Sequence, residues 1–448
     1  MNEIEEPAAP SAQNGGRPAQ RIGFDAWWTI FVLWLLYVNS FLDRLILVML
    51  VSPIKADLGL SDVQIGLILG PAYAIFYGLF GVPLGWAADR FPRRWVVYLG
   101  VSFWSLAASA SGLARSFAAL LLCRIGVGIG EASLVPTAYS LIGDKFPPRR
   151  VTTAMALFQT GSLVGAASAF AVGGIVIGFA TSLGNIQIPL LGFLQPWQLT
   201  LIITGAPSIA LALLVFTFSE PERRQAAGVK SREDDGFFQF AYERRAILLP
   251  MAIGFSLTVL LANSLVAWAP TYVTREFGWT PERYGPLLGL ISFLSATTTV
   301  AKGWIVDWMY SLGIKDAHLR FYSWLLLVAC PTAFLAFFVN SPILFLIMYG
   351  VVQTLLLNFM VFVASTVNLF TPSKFRGRII AAFVSIFTFL GIGLGPLVTA
   401  IITDNVFQDE AKLGQSLALL SGITLPLAWI ILRRAQRAVR KIMSEAPG

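Results

Sequence analysis

Twelve apolar runs, most of them 20 residues or longer, recur along this chain of 448 residues. Runs of that length suit helices crossing the ~30 Å hydrocarbon layer, where a helix satisfies its own backbone N–H and C=O groups. They fall at about 26–52, 62–88, 94–113, 117–143, 151–180, 197–218, 247–274, 284–306, 319–339, 342–369, 378–403 and 415–433. Charged residues make up 12% of the chain and hydrophobic ones 56%. That leaves too little polar surface for a domain wetted on every side, where ~25% charged is usual. Disorder and nucleic-acid readout are excluded, despite a net charge of +8. The expected fold is an all-α membrane protein of twelve transmembrane helices in two six-helix bundles.

An even number of spans puts both termini on one side. Of the 32 Lys and Arg, 24 fall in segments on that side and 5 on the other: Lys55, Arg115, Arg275, Arg283 and Lys412. The positive-inside bias therefore places both termini in the cytoplasm, with the chain multi-pass in the inner (plasma) membrane. Anionic membrane lipids are the expected partners of the basic loops. Residues 1–22 read as a disordered tail, with no basic n-region before a short apolar core and hence no cleaved signal peptide. The first bundle is expected over 23–219, a cytoplasmic linker over 220–246, the second bundle over 247–434 and a tail over 435–448. Cys123, Cys330 and the single His318 supply neither a disulfide framework nor a metal-ligand set, so no metal or cofactor is expected.

The two halves repeat. Span two is entered by Asp57-Leu-Gly59-Leu-Ser61, continues through Ile65-Gly66 and Leu69-Gly70, and ends Gly85-Trp-Ala-Ala-Asp89. Span eight is entered by Glu276-Phe-Gly278-Trp-Thr280, continues through Tyr284-Gly285 and Leu288-Gly289, and ends Gly303-Trp-Ile-Val-Asp307. Two parallel six-helix repeats with a site between them make a transporter architecture.

The stretch Gly85-x-x-x-Asp89-Arg90-x-x-Arg93-Arg94 between spans two and three resembles the signature of the major facilitator superfamily. Pro92 stands where the usual pattern has Gly, and the second copy keeps Gly303 and Asp307 but has Trp308 and no arginine pair. The resemblance covers about 24–440. Asn39-Ser-Phe-Leu-Asp43-Arg44, Arg124-Ile-Gly-Val-Gly128-Ile-Gly130-Glu131-Ala-Ser133, Phe146-Pro-Pro-Arg149-Arg150, Arg376-Gly-Arg378 and Leu390-Gly-Ile-Gly-Leu-Gly395-Pro396 narrow it further. They are similar to the spinster branch, which implies sphingolipid-like or lysolipid substrates and alternating access. Other amphiphiles or drugs fit the same resemblance.

An ionisable group at bilayer depth costs roughly 2.5–3.5 kcal/mol, so a functional reading is the default. Asp43, Arg44, Arg124 and Glu131 are such groups. A rise of ~1.5 Å per residue puts Asp43 at a height between Glu131 and Arg124. Arg124 and Glu131 are seven apart and share a helix face, and the resemblance implies that spans one and four face each other. Asp43 and Glu131 are expected to exchange protons or pair ions, with Arg124 as their counter-ion and as an anchor for an anionic headgroup. Arg44 follows Asp43 by about 100° and is expected to face elsewhere. The bland alternative is a static ion pair fastening helices.

Uncharged polar groups in the spans, Asn39, Gln159, Asn263, Gln353 and Asn358, are candidates for substrate contact, or else for interhelical hydrogen bonds of about 0.6 kcal/mol. Aromatic residues such as Phe41, Tyr73, Trp268 and Phe359 read as core or lipid-facing, with some available to wall an acyl chain. The resemblance implies a cytoplasmic gate. In it Asp89, beside Arg90, Arg93 and Arg94, caps the start of span eleven near Arg378, and Lys302 with Asp307 does the equivalent in the other half. Topology alone is the rival explanation of those basic residues. The glycine runs at 126–130 and 391–395 lie inside apolar spans with no preceding strand and are not nucleotide loops.

One histidine precludes HExxH, and neither GxSxG nor a Walker lysine occurs, so a membrane enzyme or ATP-driven pump is disfavoured. The expected function is a secondary carrier, a monomer, moving an amphipathic organic substrate and coupled to protons. A drug or small-molecule proton antiporter and a passive scramblase are the alternatives.

Overall fold

Each apolar run becomes a helix. The computed structural model describes residues 23–189, 192–223 and 236–445, so the expected 1–22 tail lies outside the described residues. Eleven helices are long and apolar enough to cross a membrane: Phe24–Met49, Asp62–Arg90, Phe117–Lys145, Arg150–Leu183, Pro196–Thr217, Arg245–Phe277, Pro281–Ser311, Ala317–Phe338, Pro342–Phe370, Lys374–Phe407 and Glu410–Met443. The twelfth, third in the chain, is Arg93–Ser111, whose 19 residues open on two arginines and carry four serines, which dilutes its hydropathy. These are spans one to twelve in chain order.

Three segments depart from the expected boundaries. The last helix runs Leu413–Glu445, so 435–445 is helix rather than tail. Ala435, Gln436 and Val439 are buried, and Arg440 holds Asp316 at 2.9 Å. A row of arginines on the opposite face masked that apolar stripe. In the linker Phe237–Glu243 forms a short helix. Between spans five and six, Ile186–Ile188 and Gly192–Leu194 pair as an antiparallel hairpin.

The repeated glycines explain how the halves meet. Span two packs on span eleven and span five on span eight, and the four glycines lie at these crossings. A Cβ on Gly66 would come within 3.0 Å of Leu397 Cα, and one on Gly289 within 2.7 Å of the Ala167 carbonyl oxygen. Gly70 and Gly285 face Gly393 and Phe170 in the same way. Only glycine lets these backbones approach so closely.

The crossings lie toward the end of the bundle away from the linker, here the far end, and charge closes that end. Asp62 is fully buried. It accepts two hydrogen bonds from Arg275 at 2.7 and 2.8 Å and one from Lys55 at 2.6 Å. Lys55 also pairs Glu410 at 2.6 Å. The backbone N–H of Val63 donates to Asp404 at 2.8 Å. Lys55, Asp62 and Val63 belong to the first half and Arg275, Asp404 and Glu410 to the second, so these bonds bolt the halves together. At the linker end Gly303 and Gly377 face open space, and Asp89 is exposed.

Candidate functional site

Span four is not one helix. It runs Phe117–Glu131, breaks at Ala132-Ser133, and resumes as Leu134–Lys145. Pro136 has no N–H to offer the Ala132 carbonyl, and this interrupts the ladder. Glu131 is the last residue of the first segment, and its side chain leaves the helix there.

Its partner is Arg44, not Arg124. The Arg44 guanidinium donates to Glu131 Oε2 at 2.5 Å and also to the Tyr73 hydroxyl. Tyr73 Oη donates to the same Glu131 oxygen at 2.8 Å. The guanidinium lies 4.3 Å from the Tyr73 ring centre and 4.8 Å from that of Phe41, which adds cation–π attraction. The expectation that Arg44 faces elsewhere is therefore corrected. A 100° turn moves Cα, but arginine is long enough to swing back across the helix face. Tyr73, read from sequence as core or lipid-facing, is a member of the ion pair; a tyrosine in an apolar run gives no signal of that.

Arg44, Tyr73, Tyr77 and Glu131 line a cavity of about 180 Å³ with Tyr37, Ser40 and Phe41. Thr388 and Ile392 close it from span eleven, within a π-helical stretch, Thr388–Gly393, of the kind often found at functional sites. The cavity thus has walls from both halves. A second, largely apolar cleft of about 840 Å³ adjoins it between spans two, four and eleven, and Tyr77, Val135 and Thr388 line both. Its rim residues Leu79 and Val82 are 62% and 79% exposed, so the cleft is open rather than enclosed.

Asp43 and Arg124 stand behind this cavity, not in its wall. Both are buried, at 3% and 2% exposure. Asp43 Oδ2 accepts from Asn39 at 3.1 Å, while its Oδ1 and Arg124 Nε have no hydrogen-bond partner. Among the described residues Arg124 pairs with no carboxylate within 4.0 Å, so its expected role as counter-ion is not what this conformation shows. Asn39 bonds Ser208 at 2.6 Å and ties span one to span six instead of contacting the cavity.

The other polar candidates scatter. Gln159 is exposed and donates to Tyr139. Asn263 donates to its own helix at Val259, 2.9 Å away. Gln353 is buried and donates to Tyr349 at 2.7 Å. Asn358 sits at a break in span ten with φ +64° and donates to the Ser295 carbonyl at 3.5 Å. None of the four lines the charged cavity.

The signature residues bind within the first half. Arg93 is buried. It pairs with Asp144 and with Glu220 at 3.0 Å, and donates to Ser140 Oγ at 3.0 Å. The backbone N–H groups of Arg93 and Arg94 also donate to Glu220, each at 3.0 Å. Burial pushes the Glu220 carboxyl up, but the donors of Arg94 and Arg93 outweigh it and hold it below the usual range. Arg90 stacks on Trp86 at 4.2 Å. Asp89 has no ion-pair partner among the described residues, so the expected cap on span eleven is not made here. Arg378 lies 5.7 Å from the Phe237 ring. In the second half Lys302 reaches span ten rather than Asp307.

Sequence comparison agrees with this architecture. The model of the Major Facilitator Superfamily matches residues 33–396. An MFS-type efflux pump of Mycolicibacterium smegmatis is 27% identical over 412 residues, 88% of this chain and 89% of the pump. Protein spinster of Drosophila melanogaster is 24% identical over 285 residues, 63% of this chain and 44% of that protein. The fold matches the crystal structure of a bacterial homolog to the human lysosomal transporter spinster, in an inward-facing and unoccupied conformation. There the TM-score is 0.75 and the identity 24%, covering 95% of this chain and 99% of the other. Twelve helices in two glycine-seamed halves, the signature at the end of span two and the family match together make this chain a member of the major facilitator superfamily, similar to its spinster-like transporters.

Proposed function

We propose that the protein is a proton-coupled secondary carrier of a single-chain amphiphile, of lysolipid or sphingolipid type, working by alternating access. With both termini in the cytoplasm, as the basic loops indicate, the bolted far end faces outward and the open linker end inward. Releasing the Asp62–Arg275 contact while bringing Asp89 to span eleven would reverse the opening. Glu131 is the proton acceptor, and its pairing with Arg44 and Tyr73 lies against span eleven, which moves relative to it. Asp43, behind it, is a second acceptor. Arg44 and Arg124 attract the anionic headgroup.

The observation that carries the substrate class is the junction of two spaces. A charged chamber of about 180 Å³ suits a headgroup, and the apolar cleft of about 840 Å³ that shares its wall suits a tail. A carrier of small organic acids is the second reading. It is favoured by the chamber's size and arginine, and by relatives named hexuronate transporter in Bacillus subtilis, 27% identical, and probable L-galactonate transporter in Escherichia coli, 26% identical.

The test is uptake into proteoliposomes of a fluorescent lysophospholipid or a labelled hexuronate, with and without an imposed pH gradient. Gradient-stimulated lysophospholipid uptake that vanishes in Glu131→Gln and falls in Asp43→Asn is expected. Lipid movement indifferent to both the gradient and Glu131→Gln would make the protein a scramblase. Hexuronate uptake alone would establish the second reading.

A further inference from the structure

Span ten breaks where span four does. Each opens with a 15-residue helix, Phe117–Glu131 and Pro342–Leu356, and resumes after two or three residues at Leu134 and Met360. In span four the break carries an acid, answered by an arginine from span one. In span ten the matching position is Leu356, with no acid. Asn358 takes φ +64° there, and the backbone turns away from its ladder. Leu357 N–H still bonds Gln353 at 2.9 Å, but Val361 N–H bonds only Asn358 at 3.3 Å. The carbonyls of Thr354, Leu356 and Leu357 are freed from the helix.

Side chains answer all three. Lys302 of span eight donates from Nζ to the Thr354 carbonyl and to that of Leu357 at 3.4 Å. Tyr322 Oη donates to the Leu356 carbonyl at 3.5 Å. Lys302 is 6% exposed, and among the described residues no carboxylate lies within 4.0 Å of it. A buried ammonium without a counter-charge is costly. Here only carbonyl dipoles at the end of a half-helix, the negative pole of its macrodipole, compensate it. Unwound carbonyls at a half-helix end are the chemistry by which carriers hold coupling cations.

We propose that the break in span ten is a built monovalent-cation site whose occupant is the protein's own Lys302 ammonium. The tethered cation holds the kink, so the second half needs no soluble ion to keep it. Lys302 is a positioning residue: it acts through the backbone of span ten. Shortening the side chain leaves a pocket shaped for a small primary ammonium with its three N–H donors. This rests on the break itself and is independent of the transported substrate.

The experiment is thermal unfolding of the purified full-length chain in detergent, wild type beside Lys302→Ala, at one ionic strength set with choline, sodium or propylammonium chloride. Propylammonium replaces the three methylenes and the ammonium that the substitution removes. Choline carries the same charge without an N–H donor, on a nitrogen too crowded to approach the carbonyls. The wild-type midpoint is expected to be equal in all three salts. The variant should melt a few degrees lower in choline and regain most of that loss in propylammonium. Recovery in sodium as well supports the site and widens its class to bare monovalent cations. A variant as stable as wild type in choline overturns the proposal, as does a lowered midpoint that no cation raises. If Lys302→Ala does not fold, Lys302→Met and Lys302→Arg decide. Arginine near wild type with methionine well below supports the site, and methionine equal to wild type overturns it.

Discussion

The two halves share a backbone plan and differ in charge. At the broken spans the first half buries Asp43, Arg124 and Glu131 with a partly exposed Arg44 beside them, while the second buries Lys302. Both break their central span after 15 residues, and both present glycines to the other half at equivalent positions. The repeat therefore preserves what rocking needs, a close crossing and a kink, while ionisable chemistry is concentrated on one side. For the proton-coupled cycle proposed above, an acceptor on one wall of the chamber is enough, since the opposite wall need only move relative to it.

The comparison breaks first at Arg44. Arg44→Gln leaves Glu131 buried with Tyr73 as its sole donor, and removing one partner of a buried pair costs about 3–5 kcal/mol. Arg124→Gln should cost much less, because among the described residues Arg124 makes no ion pair. Thermal unfolding of both variants, with Glu131→Gln as a third, checks the order. Equal losses for the two arginine variants would restore Arg124 as counter-ion and put the charge centre deeper in the first half.

The next effect is at the far end, where the halves touch. Asp62→Asn takes the shared carboxylate from Lys55 and Arg275. Hydrogen bonds to a charged group are worth about 1.5–3 kcal/mol each, but Glu410 lies near enough to keep part of the attraction. A cysteine placed at Thr271, buried one turn before Arg275, should then react several-fold faster with a membrane-impermeant thiol reagent. An unchanged rate would mean that the glycine crossings alone keep this end shut.

The fold was legible in the sequence because bilayer length and hydropathy determine it run by run, and because glycine spacing survives in both repeats. The ion pair was legible only in its members. Glu131 and Arg44 announce themselves as charges in apolar runs, but their pairing depends on a side-chain reach that helical angle does not encode. Tyr73 and the Asn39–Ser208 bond were not legible, since polar residues of that kind occur throughout such helices. The far-end bolt was half visible. Lys55 and Arg275 are two of the five basic residues on the sparsely charged side, and Asp62 follows Ser61, which caps span two. Their convergence requires the halves to be docked, which no single span specifies. Lys302 was assigned to Asp307 by proximity along the helix, whereas the freed carbonyls of span ten lie across it.

The smallest effect sharpens the comparison at the linker end, where each half holds a low-titrating carboxylate bound by arginines. Glu220 is bound by Arg93 and Arg94 in the first half. Asp316 is bound by Gln436 at 2.6 Å and by Arg320 and Arg440 at 2.7 and 2.9 Å in the second. Burial works to raise the Asp316 carboxyl, but these donors prevail and hold it below its ordinary 3.8, as Glu220 is held below 4.5. A depressed carboxylate stabilises the fold above its unfolded value and loses that contribution as pH falls through its folded one. Their contribution to the thermal midpoint, read as wild type minus variant, should therefore be constant from neutrality to about pH 4.5 and decline below it. That decline should be larger for Asp316→Asn than for Glu220→Gln, because the Asp316 side chain is 2% exposed and that of Glu220 23%. Each effect is about 1 kcal/mol or less, as for pairs near solvent. A steeper decline in Glu220→Gln than in wild type would show that the Arg93 cluster is held together by Asp144 instead, and that the first half's linker end is anchored on span four rather than span six.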